Sequence, residues 1–375
     1  MKKIKKLRKL FNEYNLDGYI VPKNNSFFGE YVPASEDNLK YISDFTGSAG
    51  FAIILKNKNL MFVDGRYTTQ ATIQCGKDYK IFTIPKHYPF NVFNNKNLNL
   101  GFDPKLHTEN SLKKLFKNSF IKLKPINENL IDLLWKRKKD SNIKPFYLIK
   151  DHDAGEKLKD KLSKLDKLIK LNKADYLFTT ASENIAWLLN IRGDDSKFSP
   201  IPNGYLTIDS KMKINFFCDL RKITKKIKEK LENINIQEIK NIDKFLNSIT
   251  SKKIQIDENS CSILFKNIIK ANNTIVKSED PIYLFKSVKN KIEIKNTIKS
   301  HILDGVALTK FLFWLKKNFN KIKITEIDAE KKLLRFRKNN KSFKFLSFPT
   351  ISGSGPNGAI IHYKASKISN RILKE

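Results

Sequence analysis

Three cysteines, Cys75, Cys218 and Cys261, are scattered over 375 residues. They are too few and too far apart for a disulfide-stapled scaffold or a CxxC zinc site. Glycine is sparse as well, at 14 residues without a repeat, so a collagen-like chain is excluded. No apolar run approaches the roughly 18 residues that a membrane-crossing helix needs. The opening residues, MKKIKKLRKLFNEYNLDGYIV, are basic but hold no continuous apolar stretch and no small-residue cleavage site, so they do not read as a secretory signal. A secreted mini-protein and a membrane channel are thereby excluded, and a reducing, cytoplasmic compartment is expected. Acidic residues are in deficit, 38 against 72 Lys and Arg, which leaves a net charge of +34.

What is present suffices for cores: 40% of residues are hydrophobic and 29% charged. At about 150 residues per domain the length predicts two or three domains. The positive charge invites a nucleic-acid reading, because clustered Lys and Arg release counterions from phosphates. Here the lysines run from Lys2 to Lys374 among many Asn and Ile residues, and no RNP pattern, zinc finger or GXXG clamp accompanies them. A solvated surface is expected, with neither nucleic acid nor membrane as partner. In the first segment Ile4, Leu7, Leu10, Phe11 and Tyr14 recur at helical spacing, which predicts a helix packed on its own domain.

The chain then repeats a grammar. Residues 17–22 (DGYIVP) read as a buried strand, 36–45 as a helix stopped by Gly47, and 50–55 and 60–63 as a hairpin that ends in Asp64-Gly65-Arg66. In the second block ADYLFTT (174–180) answers the strand, and SENIAWLLNIRG (182–193) answers EDNLKYISDFTG (36–47). There Asn184 matches Asn38, Trp187 matches Tyr41 and Gly193 matches Gly47. Residues 203–223 answer 49–68, with Asp219 on Asp64 and Arg221 on Arg66. Two related α/β domains in tandem are predicted, assigned to 1–140 and 141–285, with a Lys-rich linker at 136–144 and a charged-faced helix over 157–173. A third block, 286–375, begins with a capping pair, Asn290 and Glu293, ahead of a long helix. Thr325 and Asp328 open another. A glycine-rich, extended stretch follows, FPTISGSGPNGAIIHYKAS (348–366).

Chemistry-bearing residues are few. Of the five histidines, His87, His107, His152 and His301 sit in bland surroundings. His362 differs: it follows Gly353, Gly355 and Gly358, which would let backbone approach a ligand closely, and it should share a strand face with Ile360. A neutral imidazole there can hydrogen-bond a developing oxyanion or a peptide carbonyl. Asp64 and Asp219, each two residues ahead of an arginine, read as strand-end turns with a local ion pair. Glu326, Asp328 and Glu330 suit the positive end of a helix macrodipole. No P-loop, no GxSxG elbow, no Cys/His pair and no metal-ligand spacing is found.

Taken in order, GEYVPASEDNLKYISDFTGSAG (29–50), FVDGRYTTQA (62–71), ENIAWLLNIRG (183–193), DPIYLFKSVKNKIEI (280–294), TEIDAEKKLLRFR (325–337) and SGSGPNGAIIHY (352–363) resemble the Xaa-Pro aminopeptidases of the long form. The resemblance implies two creatinase-like N-terminal domains ahead of a pita-bread catalytic domain. It implies release of the residue preceding proline from peptides, two divalent ions, usually manganese, and a homodimer when full length. It makes His362 a catalytic and substrate-contacting histidine and Arg66 an arginine that reaches the substrate cleft. The family's five metal ligands follow the HY segment, so none is assigned within 1–375. The expectation is an incomplete catalytic domain with unpaired sheet edges, inactive alone. A binding module for peptides or partners, derived from that family, is the alternative.

Overall fold

The computed structural model describes residues 2–94, 96–137 and 143–374, and the chain divides into two compact units, Met1–Val288 and Lys289–Glu375. The expected boundary between residues 140 and 141, and part of the Lys-rich linker, lie outside the described residues.

The first unit is built twice from one plan. Helix α1 (Lys2–Glu13) buries Ile4, Leu7 and Phe11 and leaves its lysines in solvent, as its spacing predicts. Strands β1 (Gly18–Pro22), β2 (Phe51–Leu55) and β3 (Asn59–Asp64) form an antiparallel meander. Strands β4 (Lys80–Ile84), β5 (Asn99–Phe102) and β6 (Lys122–Pro125) join in parallel, giving the order β4-β3-β2-β1-β5-β6. The second half supplies β7 (Tyr176–Thr179), β8 (Tyr205–Asp209), β9 (Ile214–Cys218), β10 (Ile234–Glu238), β11 (Lys253–Ile256) and β12 (Thr274–Lys277). Their order, β10-β9-β8-β7-β11-β12, and their directions are the same.

Each sheet is covered on both faces, so its central strands are continuous apolar runs. In β2, Ala52 and Ile54 face one core, while Phe51, Ile53 and Leu55 face the other. Helix α2 (Asn38–Ser43) is shorter than the 36–45 spacing predicts, because Asp37 withdraws to cap it and accepts from the Lys40 amide at 3.0 Å. Among the later helices are α3 (Thr68–Cys75), α4 (Glu109–Phe116), α5 (Leu158–Leu171), α6 (Ser182–Leu189), α7 (Ile263–Asn272) and α8 (Pro281–Ser287).

The two halves meet through equivalent pieces. Thr108, which caps α4, forms an isolated antiparallel bridge with Ser262, which caps α7. The Ile263 amide donates to the His107 carbonyl at 2.9 Å, and Lys266 bridges Glu109 to Glu258. Phe27 stacks on Tyr205 at 5.2 Å, and the Tyr205 hydroxyl donates to the Ser26 carbonyl.

A buried acid closes this unit. Asp280 caps α8, accepts from the Ile282 amide and from Asn184 Nδ2, and is 2% exposed. Burial, with Asp257 adding repulsion, pushes its carboxyl up from 3.8 to about 6. A carboxyl raised in the folded state stabilises fully below its unfolded value and loses that contribution as pH rises through the folded one. The chain is therefore expected to lose about 2 kcal/mol of stability between pH 4 and 6.5 through this group. Asp280→Asn should abolish that slope, because an amide does not titrate, and Asn184 can turn its buried, unpartnered Oδ1 toward the new amide to keep the pair bonded. Urea midpoints across that pH range measure it, and an unchanged slope in the variant contradicts the assignment.

The second unit begins with α9 (Lys291–Asn318), whose Asn290–Glu293 capping box is formed as expected. Helix α10 (Glu326–Lys338) follows behind a second box, Thr325–Asp328. The expected catalytic sheet edge is not observed: the described residues of this unit hold one β-bridge, Thr325 to Ile372, and no strand. A strand needs a ladder partner, and here the Ser354 amide donates to Glu326 while the Asn357, Ile360 and Tyr363 amides close local turns. What the unit does expose is apolar helix surface, with Ile294, Ile298, Ile302 and Val306 each at least 49% accessible.

Candidate functional site

Arg66 lies at the end of β3. The Asp64 carboxylate accepts from the Arg66 amide at 2.9 Å and holds the guanidinium in a fork, Nε to Oδ1 at 3.1 Å and Nη2 to Oδ2 at 2.7 Å. The guanidinium stands 5.6 Å from the ring centre of buried Tyr67, whose hydroxyl is 2.6 Å from Ser48 Oγ. Half of the Arg66 side chain faces solvent. Asp219 and Arg221 reproduce the fork at 2.9 and 2.7 Å. The turn pair is thus present in both halves, and the local geometry does not tell a cleft arginine from its copy.

His362 belongs to the second unit and Arg66 to the first. The imidazole does not sit on a strand beside Ile360. Residues Gly355–Ala359 form a 3-10 turn, and His362 is an exposed left-handed residue with φ of 57°. The glycines serve the loop itself. Gly355 is left-handed at φ of 56°, and a Cβ on Gly353 would lie 3.0 Å from the Asn357 carbonyl oxygen.

The anchor of this loop is a residue that sequence reasoning assigned to helix electrostatics alone. Glu326 is fully buried. Its Oε1 accepts from the Ser354 amide at 2.7 Å and Asn357 Nδ2 at 3.0 Å, and its Oε2 accepts from Tyr363 Oη at 2.8 Å and the Arg371 amide at 3.1 Å. Burial opposes its charge, but the bonds from Asn357, Ser354, Tyr363 and Arg371 outweigh that and hold the carboxyl below the usual glutamate range. No local signal marks it, since its partners are 28 to 45 residues away.

The remaining nucleophiles and bases stay unassembled. Cys75 and Cys218 are buried, and burial pushes their thiols up to about 11 and about 12. His107 is buried and held neutral, pushed down to about 3 by burial. Among the described residues no group of three or more His, Cys, Asp or Glu side chains could hold a metal ion, and no helix is long and apolar enough to cross a membrane.

Comparison with known proteins decides what the duplicated sheets belong to. Residues 3–132 and 136–293 each match the Creatinase/Prolidase N-terminal domain, and 295–375 match Metallopeptidase family M24. A probable Xaa-Pro aminopeptidase P of Laccaria bicolor is 33% identical over 100% of this chain and 60% of its own length. Xaa-Pro aminopeptidase 1 of Dictyostelium discoideum is 33% identical over 99% of this chain and 63% of its own. The chain carries two creatinase/prolidase N-terminal domains and the opening of an M24 domain, and it is similar to Xaa-Pro aminopeptidases along its whole length.

The fold of a solved relative is matched along nearly the whole chain. The X-prolyl aminopeptidase of Caenorhabditis elegans, described as a cytosolic enzyme with a di-nuclear active site, superimposes with a TM-score of 0.91 at 26% identity. The match covers 99% of this chain and 65% of that one. The α/β class, the two creatinase-like domains and the opening part of a pita-bread M24 domain, all expected from the sequence, are therefore borne out. The chain spans about 60% of the length of the curated relatives it matches.

Proposed function

We propose that this chain is the substrate-contacting part of an Xaa-Pro aminopeptidase that frees the N-terminal residue ahead of proline. The observation that carries this reading is the unbroken match to such enzymes through both creatinase-like domains and into the M24 domain. The bond is a demanding one: it is a tertiary amide with no N–H to recognise. Two divalent ions are proposed for the whole protein, as in the di-nuclear worm enzyme, with manganese as the metal. The described residues do not fit that role, since they offer no cluster of ligands. The chain alone is accordingly proposed to be inactive, and the full-length protein is proposed to be cytoplasmic and homodimeric.

The roles proposed here are peptide contacts. Arg66 offers a fork-held, half-exposed guanidinium to the polar end of a peptide. His362 offers an imidazole N–H as donor to the scissile carbonyl oxygen, a contact that strengthens as negative charge grows on that oxygen. Domain limits of 1–140, 141–285 and 286–375 go with this reading.

The test joins residues 1–375 to the part of the Laccaria bicolor relative that the chain does not cover. The fusion with Mn2+ should release arginine from Arg-Pro-Pro and not from Arg-Ala-Ala, while 1–375 alone releases none. In the fusion, His362→Ala should lower kcat by about 100-fold and raise KM much less. Cleavage by 1–375 alone, or equal cleavage of both peptides, would refute the reading.

A further inference from the structure

The second unit spends its one fully buried described carboxylate on the loop that carries His362, and the reason lies in the geometry of that loop. Glu326 opens α10 and its side chain gathers the Ser354 amide, Asn357, Tyr363 and the Arg371 amide. Asn357 and Tyr363 are themselves 7% and 6% exposed; Asn357 gives its second amide hydrogen to the Ser369 carbonyl at 2.7 Å, and Tyr363 Oη lies 3.1 Å from the same oxygen. The Glu326 amide also donates to the Arg371 carbonyl at 2.9 Å, so backbone and side chain grip the same residue. Every stretch that flanks the imidazole is tied to one carboxylate.

His362 is the residue immediately ahead of the anchored Tyr363, and its left-handed φ of 57° costs a side-chain-bearing residue on the order of 1 kcal/mol. Such a conformation persists only where neighbours over-determine it. Tyr363 turned inward and bonded at 2.8 Å forces His362 outward on the opposite side of the turn. A helix-dipole role would need only an exposed acid in the first turn, which Asp328 already supplies. It would not call for full burial and four separate donors.

We infer that Glu326 is a positioning residue for His362, acting through Tyr363 and Asn357 to hold the left-handed turn that presents the imidazole to a peptide carbonyl. This rests on the reading of His362 as a peptide contact. Its test is independent of turnover.

The experiment uses chain 1–375 with its histidine rings labelled for NMR, and His362→Gln to identify the His362 signal. Glu326→Gln keeps the shape but turns an amide NH2 toward the Arg371 N–H. It should shift or split the His362 ring signal, leave His301 on α9 and His87, His107 and His152 unmoved, and speed amide exchange at Arg371 about tenfold, as expected for loss of one charged hydrogen bond. Tyr363→Phe removes only the hydroxyl and should move the same single histidine by less. A role confined to stability would lower the unfolding midpoint and leave the native His362 signal where it was. If Glu326→Gln unfolds the unit, Tyr363→Phe decides. An unmoved His362 signal in whichever folded variant is read overturns the proposal. Should His362→Ala prove harmless to kcat in the fusion while Glu326→Gln still moves the ring, the contact reading fails and the positioning stands.

Discussion

Lys161→Met should destabilise the first unit by about 3 kcal/mol, read as a fall in the urea midpoint at unchanged slope. The residue is 1% exposed on α5. Its ammonium donates to the Trp187 carbonyl at 2.5 Å and Asn190 Oδ1 at 2.7 Å, and lies 4.1 Å over the Trp187 ring. Methionine fits the space and relieves the cost of burying a charge. Against that gain, two buried acceptors lose a charged donor, at about 1–3 kcal/mol each, and a desolvated cation–π contact is lost as well. The acceptors win. The other half contains its own control. Lys3 donates to the carbonyl of Tyr41, the residue that matches Trp187, at 2.8 Å and lies 4.8 Å from its ring. Its side chain is 44% exposed. Water replaces what it leaves, so Lys3→Met should cost only about 0.5 kcal/mol. Equal losses at the two positions would show that burial is not what sets the effect.

Lys266→Met should cost about 2 kcal/mol and act on the seam between the two halves. Its ammonium lies between Glu109 of the first half and Glu258 of the second. Removing it leaves two facing carboxylates near the capped ends of α4 and α7. The loss is held below the value for a fully buried pair because each carboxylate keeps another lysine, Lys113 at 2.5 Å and Lys277 at 3.0 Å. Adding Glu109→Gln to the variant should restore about half of the loss, since the repulsion goes with one charge. Simple additivity in that double variant would contradict a shared ion cluster.

Much of the fold was legible beforehand because the determinants were local. The Asn290–Glu293 and Thr325–Asp328 boxes, the stripe of Ile4, Leu7 and Phe11, and the two Asp-x-Arg turns each involve residues within one or two helical turns of one another. The repeat was legible for the same reason, since equivalent strands carry equivalent apolar runs. The loop around His362 was read as a strand, part of an extended, glycine-rich stretch with the imidazole on the face of Ile360. Spacing alone carries no information on whether a ladder partner exists.

The sequence by itself determined the duplicated α/β architecture, the helix starts and the resemblance to Xaa-Pro aminopeptidases, since periodicity, capping and ordered motifs are properties of neighbouring residues. Only the tertiary structure decided that Glu326 holds the His362 loop, that Lys161 is buried while Lys3 is half in water, and that Asp280 is an acid kept from solvent. Each of these depends on groups brought together across 26 or more residues by folding, and the energy of a charge is set by what surrounds it in space.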